Sequence, residues 1–426
     1  MYNLKNLNPI LINLFIVSII PFLILGPFLP DLIVSISALI FLYYIIKKKE
    51  FNYLLNKSII IFFLFCIIAI TSSLFSEKIL FSLKSSLFYF RIGIFSILIW
   101  YIVDKDKNIL NYFYYTLIFS FSCLVVDGYY QYYYGENILG FKLIGTRISS
   151  FFGDELIMGS YLSRLFPLLF AFFLVKKKQK FEIYYVALLF VFVDILIFMS
   201  GERTSFFFLN LSSIFIILLI KEYQKFRLIT FIIAIFAIAA LGINSPKLTE
   251  RMFLVPAKDM GFIESSKNAT IFSEQHDSHI RTAINIFKDK PILGHGPKMF
   301  RIKCSEPKFS VGRFPCSSHP HNFYVQLLVE TGIVGFSFLL IIFFYVLFQS
   351  LTQLKTILLK KKRHLSDYQV CLLAGILITV WPFSPNGNFF NNWMIIIYSL
   401  PFGFYLQSIY SKKKKNLIIL FLGIIF

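Results

Sequence analysis

Charged residues are scarce in this sequence: Asp, Glu, Lys and Arg make up only 15% of its 426 residues. Water-soluble domains carry roughly a quarter of such residues, so this composition excludes a chain of one or two soluble domains. Hydrophobic residues account for 57% of the chain, which is enough for about twelve membrane spans of about 20 residues each. The composition therefore predicts a polytopic membrane protein.

Other missing features narrow this class. The apolar runs have helical length, whereas an outer-membrane barrel has short strands of alternating polarity, so a barrel is excluded. Residues 1–8 contain one lysine, and the first apolar run lacks a small-residue cleavage site. We therefore expect no cleavable signal peptide. The sequence predicts an all-α polytopic membrane protein.

We predict about twelve transmembrane helices, with boundaries uncertain by a few residues. The predicted ranges are 10–26, 30–46, 58–75, 87–103, 110–127, 156–175, 183–200, 205–220, 228–244, 328–350, 367–385 and 390–409. The chain then divides into helices one to nine (1–244), a large loop (245–322), helices ten to twelve (323–410) and a tail (411–426). The apolar end of this tail is too short to span the membrane, so we expect it at the interface.

The formal net charge is +20, and the basic residues are concentrated in particular connectors between the predicted spans. This distribution gives no reason to expect a nucleic-acid partner. The termini and the connectors between predicted spans fall alternately on the two sides of the membrane. Those of one side hold 23 Lys and Arg, whereas the short connectors of the other side hold five. The positive-inside rule places the first set, and with it both termini, in the cytoplasm.

The large loop lies on the opposite, external side. It holds five of the six histidines, and its 12 Lys and Arg outnumber seven Asp and Glu. A loop of this length is usually functional or disordered. Apolar residues recur at helical spacing over 280–287, so we expect an ordered, partly helical cap packed over the membrane.

Cysteines are few, and two of the five lie in this loop. Cys304 and Cys316 are on the oxidising side, where a disulfide can form, but the sequence cannot give their distance and leaves the bridge open. Cys66, Cys123 and Cys371 lie in predicted spans, where we expect ordinary packing.

Three arginines lie in or beside predicted spans, namely Arg91, Arg164 and Arg203. An arginine in hydrocarbon costs a few kcal/mol, so it tends to face a cavity, a partner charge or a phosphate. Arg203 lies in the turn Ser200-Gly201-Glu202-Arg203-Thr204-Ser205. The alternative for Arg203 is an interfacial side chain that snorkels or pairs with Glu202.

Two further arginines lie in external connectors. Arg147 belongs to a segment rich in glycine and hydroxyl side chains, which is either a simple polar hairpin or a rim that holds an anionic head group. Arg281 begins a short predicted amphipathic helix that ends before Pro291 and a glycine-rich turn. In the first turn a cation is disfavoured by the helix dipole. A bound anion would therefore suit Arg281, and a solvated surface arginine is the alternative.

The loop returns to the membrane through His319-Pro320-His321-Asn322. His321 is expected at the external mouth of the tenth helix, followed at one-turn spacing by Asn322, Gln326 and Glu330. A neutral imidazole there could accept a proton from an attacking hydroxyl. The alternative is a histidine that only caps the helix or lies at the membrane interface.

A zinc site and a serine hydrolase site are the alternatives to this chemistry. His276-x-x-His279 with Asp277, His295, His319 and His321 supplies zinc-ligand residue types, but the spacing matches no closed zinc pattern. Serine hydrolase chemistry is disfavoured because no nucleophile elbow occurs in the sequence. We therefore expect no metal and no other cofactor.

These strings together match a known family. His321-Asn322, nine residues and then Gly332-Ile-Val-Gly335 resembles the histidine motif of the O-antigen ligase and polymerase superfamily. The turn around Arg203 resembles the arginine turn of that family, and the run from Arg281 to Gly-x-Gly at 294–296 resembles its arginine segment. The chain departs from the pattern at Glu202, where a small residue is common, and at His295 between the two glycines.

The resemblance, which covers roughly 147–335, implies an inverting, metal-independent glycosyltransferase of the bacterial inner membrane with its active site on the periplasmic face. Its donor would be a glycan on undecaprenyl diphosphate and its acceptor lipid A–core, as in an O-antigen ligase. By resemblance, Arg203 and Arg281 would hold the diphosphate and His321 would deprotonate or orient the acceptor hydroxyl. The supporting residues would be Arg147, His319, Asn322, Gln326 and Glu330.

Other functions remain open. An O-antigen polymerase or a protein O-oligosaccharyltransferase of the same superfamily would differ only in its acceptor. A transporter or flippase of lipid-linked glycan belongs to another class. It ranks lower, because transporters concentrate polar groups near mid-membrane and often contain paired halves, and no internal repeat is visible here.

Overall fold

The computed structural model describes residues 9–176, 181–263 and 272–410. These residues form helices and connecting turns, and they contain no β-strand beyond two isolated bridges. The helices are α1 (Pro9–Val17), α2 (Ile19–Leu25), α3 (Phe28–Lys48), α4 (Lys57–Leu74), α5 (Ile79–Ser86), α6 (Phe90–Lys105), α7 (Ile109–Tyr134), α8 (Met158–Val175), α9 (Glu182–Met199), α10 (Arg203–Leu219), α11 (Gln224–Asn244), α12 (Pro246–Thr249), α13 (Val255–Asp259), α14 (Glu274–Asp289), α15 (Phe300–Lys303), α16 (Phe323–Leu358), α17 (Asp367–Thr379) and α18 (Asn392–Tyr410). The predicted all-α class is confirmed.

Several of these helices can cross a membrane. Within the described ranges, eight helical segments are long and apolar enough to do so, and α10, α17 and the segment 10–25 are shorter apolar helices. Each predicted span overlaps an observed helix. The chain is a polytopic membrane protein, and the number of twelve spans stays a prediction.

The helices surround α8, which is the most buried of the candidate spans. It packs against α7, α10 and α17, and α18 packs against α6 and α17. At the other extreme, α11 is the least buried candidate span and lies at the periphery. The core is thus built around α8, and both ends of this helix are close to polar connectors.

The described part of the large loop packs on the membrane helices. Ala283 and Ile286 of α14 form a buried apolar cluster with Phe300 and with Val329 of α16. The Lys303 ammonium pairs with the carboxylates of Glu77, in the α4–α5 turn, and of Glu306. Apolar contacts and ion pairs therefore hold α14 and α15 against α16 and α4.

The disulfide that the sequence left open is present in the structure. Cys304 and Cys316 are bonded, with their Cα atoms 5.1 Å apart. The bridge ties the end of α15 to the segment that leads into His319. Cys66, Cys123 and Cys371 are free thiols within helices.

The predicted starts of two helices, one in the loop and one directly after it, are wrong. The helix α14 ends at Asp289, before Pro291 as predicted, but it begins at Glu274 instead of near Arg281. Arg281 is therefore not in the first turn, which holds Glu274 and Asp277, the charges that the helix dipole favours. The tenth membrane helix begins at Phe323, because Asn322 caps it, and not at the predicted residue 328. The predicted interfacial tail and the last basic cluster lie outside the described residues.

Candidate functional site

The site is built where the loop meets an unwound turn of α16. Gly332 interrupts α16 with φ 64° and ψ −169°, a conformation that is essentially restricted to glycine. The break frees backbone groups that the loop then binds. The His295 N–H donates to the Val329 carbonyl (2.8 Å) and the Ile333 N–H donates to the Pro291 carbonyl (2.9 Å).

The glycines of the two motifs allow this close approach. A Cβ on Gly294 would lie 2.6 Å from the carbonyl oxygen of Val329, and one on Gly332 would overlap the backbone of Ile292. Neighbouring backbone cannot move as a flexible side chain can. The Gly-x-Gly turn and the broken helix α16 therefore form one rigid unit. This unit supports the segment that contains His319 and His321.

His295, the departure between the two glycines, has a structural role in this unit. Its ring is buried and hydrogen-bonds to the Ile286 carbonyl (3.1 Å) near the end of α14. Burial lowers the pKa of His295 below its usual value. The side chain thereby joins α14 to the glycine turn and is part of the support of the site.

His321 sits in a sharp turn at the start of α16. Its φ of 55° is left-handed, which is uncommon outside glycine, although histidine tolerates it better than most residues. The Asn386 N–H donates to the His321 carbonyl (2.8 Å), and the His319 Nε2 lies 3.2 Å from the Asn386 carbonyl. Asn322 caps α16 by accepting from the N–H of Tyr324. His321 therefore lies directly before the capped first turn of α16.

Four histidines cluster at this turn. The ring of His321 lies 4.1 Å from that of His319, 5.2 Å from that of His276 and 5.3 Å from that of His279, between centroids. His276 and His279 come from α14, so the loop helix brings them to the return segment. The arrangement joins residues that are more than 40 positions apart in the sequence.

Burial and crowding keep these imidazoles neutral. Burial, and then the neighbouring histidines, lower the pKa of His321 to about 3. Burial lowers the pKa of His319 to about 4. Burial, the nearby His279 and the Arg203 guanidinium lower the pKa of His276 to about 4. At neutral pH the cluster is therefore uncharged and able to accept protons or hydrogen bonds.

An arginine cluster lies next to these histidines. The Arg203 Nε donates to the Arg251 carbonyl (2.8 Å) and the Arg147 Nε donates to the Ser200 carbonyl (3.1 Å). Arg251 and Arg203 both help to lower the pKa of Arg147, after its burial. Arg203 also helps to lower the pKa of His276, so the positive charge of this cluster reaches the histidines.

Among the described residues, no hydrogen bond or ion pair joins Glu202 to Arg203, and Glu202 caps α8 instead. Its carboxylate accepts from the backbone N–H of Gly159 (2.6 Å) and of Ser160 (3.0 Å), and from the Ser205 hydroxyl. Burial raises the pKa of this carboxyl. Glu202 thus fixes the turn at the N-terminus of α8, and the acidic residue that acts on Arg203 is Asp259.

Arg281 stands apart from this arrangement. Its Nε pairs with Asp277 one turn earlier (2.7 Å), and the side chain is 59% exposed. His276 and His279 face the cluster from the same helix, and Arg281 is two residues further along than His279, which places it on a different side of α14. The structure brings His319, His321 and Asn322 together and places Arg147 and Arg203 in the arginine cluster, whereas Arg281 lies at the rim.

Gln326 and Glu330 lie below the turn, as one-turn spacing predicts. The Gln326 Nε2 donates to Glu330 (3.0 Å) and to the Asn388 side chain (2.9 Å), and its Oε1 accepts from the Phe389 N–H. Both glutamine and glutamate are fully buried. They support the α17–α18 connector beneath the histidines.

A comparison with protein families bears on this arrangement. The O-antigen ligase family model (Wzy_C) matches residues 184–340. The chain carries an O-antigen ligase family domain. Its members are glycosyltransferase-like enzymes. The resemblance to the O-antigen ligase and polymerase superfamily is confirmed, and a search of curated proteins finds no significant match.

The O-antigen ligase domain contains Arg203, Arg281 and His321, whereas Arg147 lies before it. Sequence reasoning missed Arg251, which completes the arginine cluster, and Asn386, which binds the histidine turn. Arg251 lies within a π-helical turn at 250–254, and such turns are frequent at functional sites. The charge of Arg251 was visible in the sequence, but its position was not.

Metal ligation was the competing interpretation of the histidines. In the described ranges, no group of three or more His, Cys, Asp or Glu is arranged to hold a metal ion. Several ring nitrogens already have neighbours: the His321 Nε2 lies 3.1 Å from the Ser317 hydroxyl, and the His319 Nδ1 lies 2.8 Å from the Ser318 hydroxyl. These contacts fix the rings in a hydrogen-bonded network.

Proposed function

We propose that the protein is an O-antigen ligase-type glycosyltransferase, which moves a glycan from undecaprenyl diphosphate to the lipid A–core acceptor with inversion and without a metal. One observation carries the proposal. A neutral histidine turn lies near a cluster of arginines, of which Arg203 and Arg251 lie, like the histidines, in the part of the chain that matches the O-antigen ligase family. A base beside an anion site is what glycosyl transfer from a lipid diphosphate requires.

The donor diphosphate would bind at the arginine cluster. A guanidinium offers planar paired donors that match phosphate oxygens, and charge-assisted hydrogen bonds of this kind are among the stronger ones. Arg147, Arg203 and Arg251 are all partly buried, so their attraction for an anion is less screened than at a free surface. Arg281 would leave Asp277 and close over the phosphates from the rim.

The reaction would be a single displacement. The acceptor hydroxyl oxygen attacks the anomeric carbon from the face opposite the diphosphate, and the bond between this carbon and the diphosphate oxygen breaks. The configuration therefore inverts. The arginines stabilise the charge that develops on the leaving diphosphate. The hydroxyl proton passes to the His321 imidazole and from there to solvent.

The low pKa of His321, about 3, has a consequence for this step. A base works best when its pKa is near the working pH, so His321 alone is a weak base. A bound diphosphate brings negative charge beside the imidazole, and nearby negative charge raises the pKa of a histidine. Donor binding would therefore activate the base, and before that His321 orients the hydroxyl as a hydrogen-bond acceptor.

The placement in the cell follows from the charge bias of the connectors. With the basic connectors and both termini in the cytoplasm, the large loop and the site lie on the periplasmic face of the inner membrane. A lipid-linked donor and the lipid A–core acceptor would both reach the site from the membrane plane. Membrane lipids surround the remaining helices.

The same site would serve other acceptors, so the acceptor must be tested. Purified protein in nanodiscs would receive undecaprenyl-diphosphate glycan together with lipid A–core, a second donor molecule or an acceptor protein. We expect product only with lipid A–core. A lengthened lipid-linked glycan would instead indicate a polymerase, and a glycosylated protein an oligosaccharyltransferase.

A transporter gives a different result in the same system. Donor that crosses the bilayer of a liposome without transfer to any acceptor would overturn the proposal. The His321→Ala variant is the control for the transfer arm, since a contaminating transferase would be unaffected by it.

A further inference from the structure

Arg164 is a buried cation in the membrane helix α8. It is 4% exposed, and the ion pairs of the described residues include none with an acidic partner for it. Its guanidinium lies 4.7 Å from the centre of the Phe208 ring and 4.4 Å from that of Tyr398. A cation inside a membrane protein is costly and is usually retained for a function.

The guanidinium also reaches the connector between α17 and α18. The Arg164 Nη2 donates to the Oδ1 of Asn386 (3.1 Å), and its Nε lies 3.4 Å from the Ser160 hydroxyl. The Nη1 is buried and has no hydrogen-bond partner among the described residues. The position of the guanidinium is thus fixed by two aromatic rings, one amide and one hydroxyl.

The backbone of Asn386 connects Arg164 to the histidine turn. Its N–H donates to the His321 carbonyl (2.8 Å), and its own carbonyl accepts from the His319 Nε2 (3.2 Å). His321 has a left-handed backbone, which is less stable than the usual conformations of a non-glycine residue and persists when neighbours hold it. Asn386 holds it at the carbonyl, while its side chain is held by Arg164.

We propose that Arg164 is a positioning residue of the transfer site, which acts through Asn386 on His319 and His321. This inference rests on the proposed function, since it assigns Arg164 a place in that reaction. Arg164 lies before the matched O-antigen ligase domain and joins α8, the most buried candidate span, to the reacting turn. It does not touch the donor or the acceptor.

The test compares four single variants and one double variant with the wild-type protein. Arg164→Gln removes the charge and the fork, Arg164→Lys keeps the charge, and Asn386→Leu removes the amide but keeps the backbone hydrogen bonds. Arg91→Gln is the matched control, because Arg91 is also an arginine at a membrane helix but pairs with Asp31.

We expect Arg164→Gln to lower kcat about tenfold to a hundredfold while the Kd of undecaprenyl-diphosphate glycan changes less than about threefold, because misplacing a reacting group affects turnover. Arg164→Lys should recover part of the loss. The double variant with Asn386→Leu should be no worse than the more impaired single variant, since both act on one path. Arg91→Gln should keep wild-type kcat.

An activity-independent readout separates this inference from the proposed function. In protein with labelled histidines, Arg164→Gln should shift the imidazole NMR signals of His319 and His321 and leave that of His364 in place. If the wild-type protein transfers no glycan, the proposed function fails and these signals still decide positioning. Unchanged imidazole signals together with a normal kcat in Arg164→Gln would overturn the inference. Loss of donor binding together with kcat in this variant would also overturn it. Thermal unfolding of each variant checks that it is folded.

Discussion

Arg203 and Arg281 have different surroundings, although the family resemblance gives them the same role. Arg203 belongs to a partly buried cluster beside His276, whereas Arg281 is exposed and paired with Asp277. A preformed cation site needs little rearrangement to bind an anion, and a rim arginine must first leave its partner. The two arginines should therefore contribute to donor binding in different ways.

We predict that Arg203→Ala weakens binding of undecaprenyl-diphosphate glycan by about tenfold to a hundredfold, which is the range of one or two charge-assisted hydrogen bonds. Arg203→Lys should recover binding only in part, because a point charge lacks the planar fork. Microscale binding measurements in nanodiscs check this. Donor binding within twofold of wild type in Arg203→Ala would show that the cluster does not hold the donor.

The role of Arg281 in donor binding is tested by substituting Arg281 and its ion-pair partner Asp277. Arg281→Ala should weaken donor binding and turnover, while Asp277→Ala, which frees the guanidinium, should leave binding unchanged or tighten it. Arg313→Ala, an exposed arginine of the same loop, is the control and should have no effect. Weaker donor binding in Asp277→Ala would contradict a diphosphate contact by Arg281.

At the scale of elements, the helices were predictable and their interruption was not. Apolar runs of membrane length determine where helices occur, because every backbone group in lipid must be bonded within the helix. The break at Gly332 and its union with the Gly294 turn depend on contacts between distant segments, which one sequence does not display. For the same reason Asn386, 65 residues after His321, could not be assigned to the site.

The broken helix gives a prediction of its own. Gly332→Ala should lower the thermal unfolding midpoint and reduce transfer, because a Cβ there is strained at φ 64° and would overlap the backbone of Ile292. A conformation of this kind costs on the order of 1–3 kcal/mol for another residue. Gly375→Ala is the control, since its Cβ would have only ordinary contacts with Pro401. Equal midpoints for the two variants would argue against a rigid unit.

At the scale of the whole molecule, titratable histidines lie at the contact between the large loop and the membrane helices. The pKa values of His276 and His319 are about 4 and that of His321 is about 3, below the ordinary value near 6.5. When the loop detaches, these histidines regain the ordinary value and bind protons. The docked state is therefore fully favoured above about pH 6.5 and loses stability as the pH falls toward 4.

We predict that acid loosens the loop before the helices unfold. Hydrogen exchange of 274–289, corrected for its intrinsic pH dependence, should become faster relative to α8 between pH 7 and pH 4.5. His276→Gln should reduce this acid response, and His364→Gln, a histidine outside the cluster, should not. Protection of the loop that is independent of pH over this range would contradict buried neutral histidines at the loop–membrane contact.

The most direct test of the whole account separates donor binding from transfer in His321→Ala. Purified variant and wild type would receive undecaprenyl-diphosphate glycan and lipid A–core, with donor binding and product measured separately and His364→Ala as the control. We predict that donor binding stays within a few-fold of wild type while transfer falls by about two to four orders of magnitude, the range for a general base. Wild-type transfer should continue in the presence of chelator, because the arginines stabilise the leaving charge. Full transfer by His321→Ala, or loss of wild-type transfer in chelator, would contradict this account.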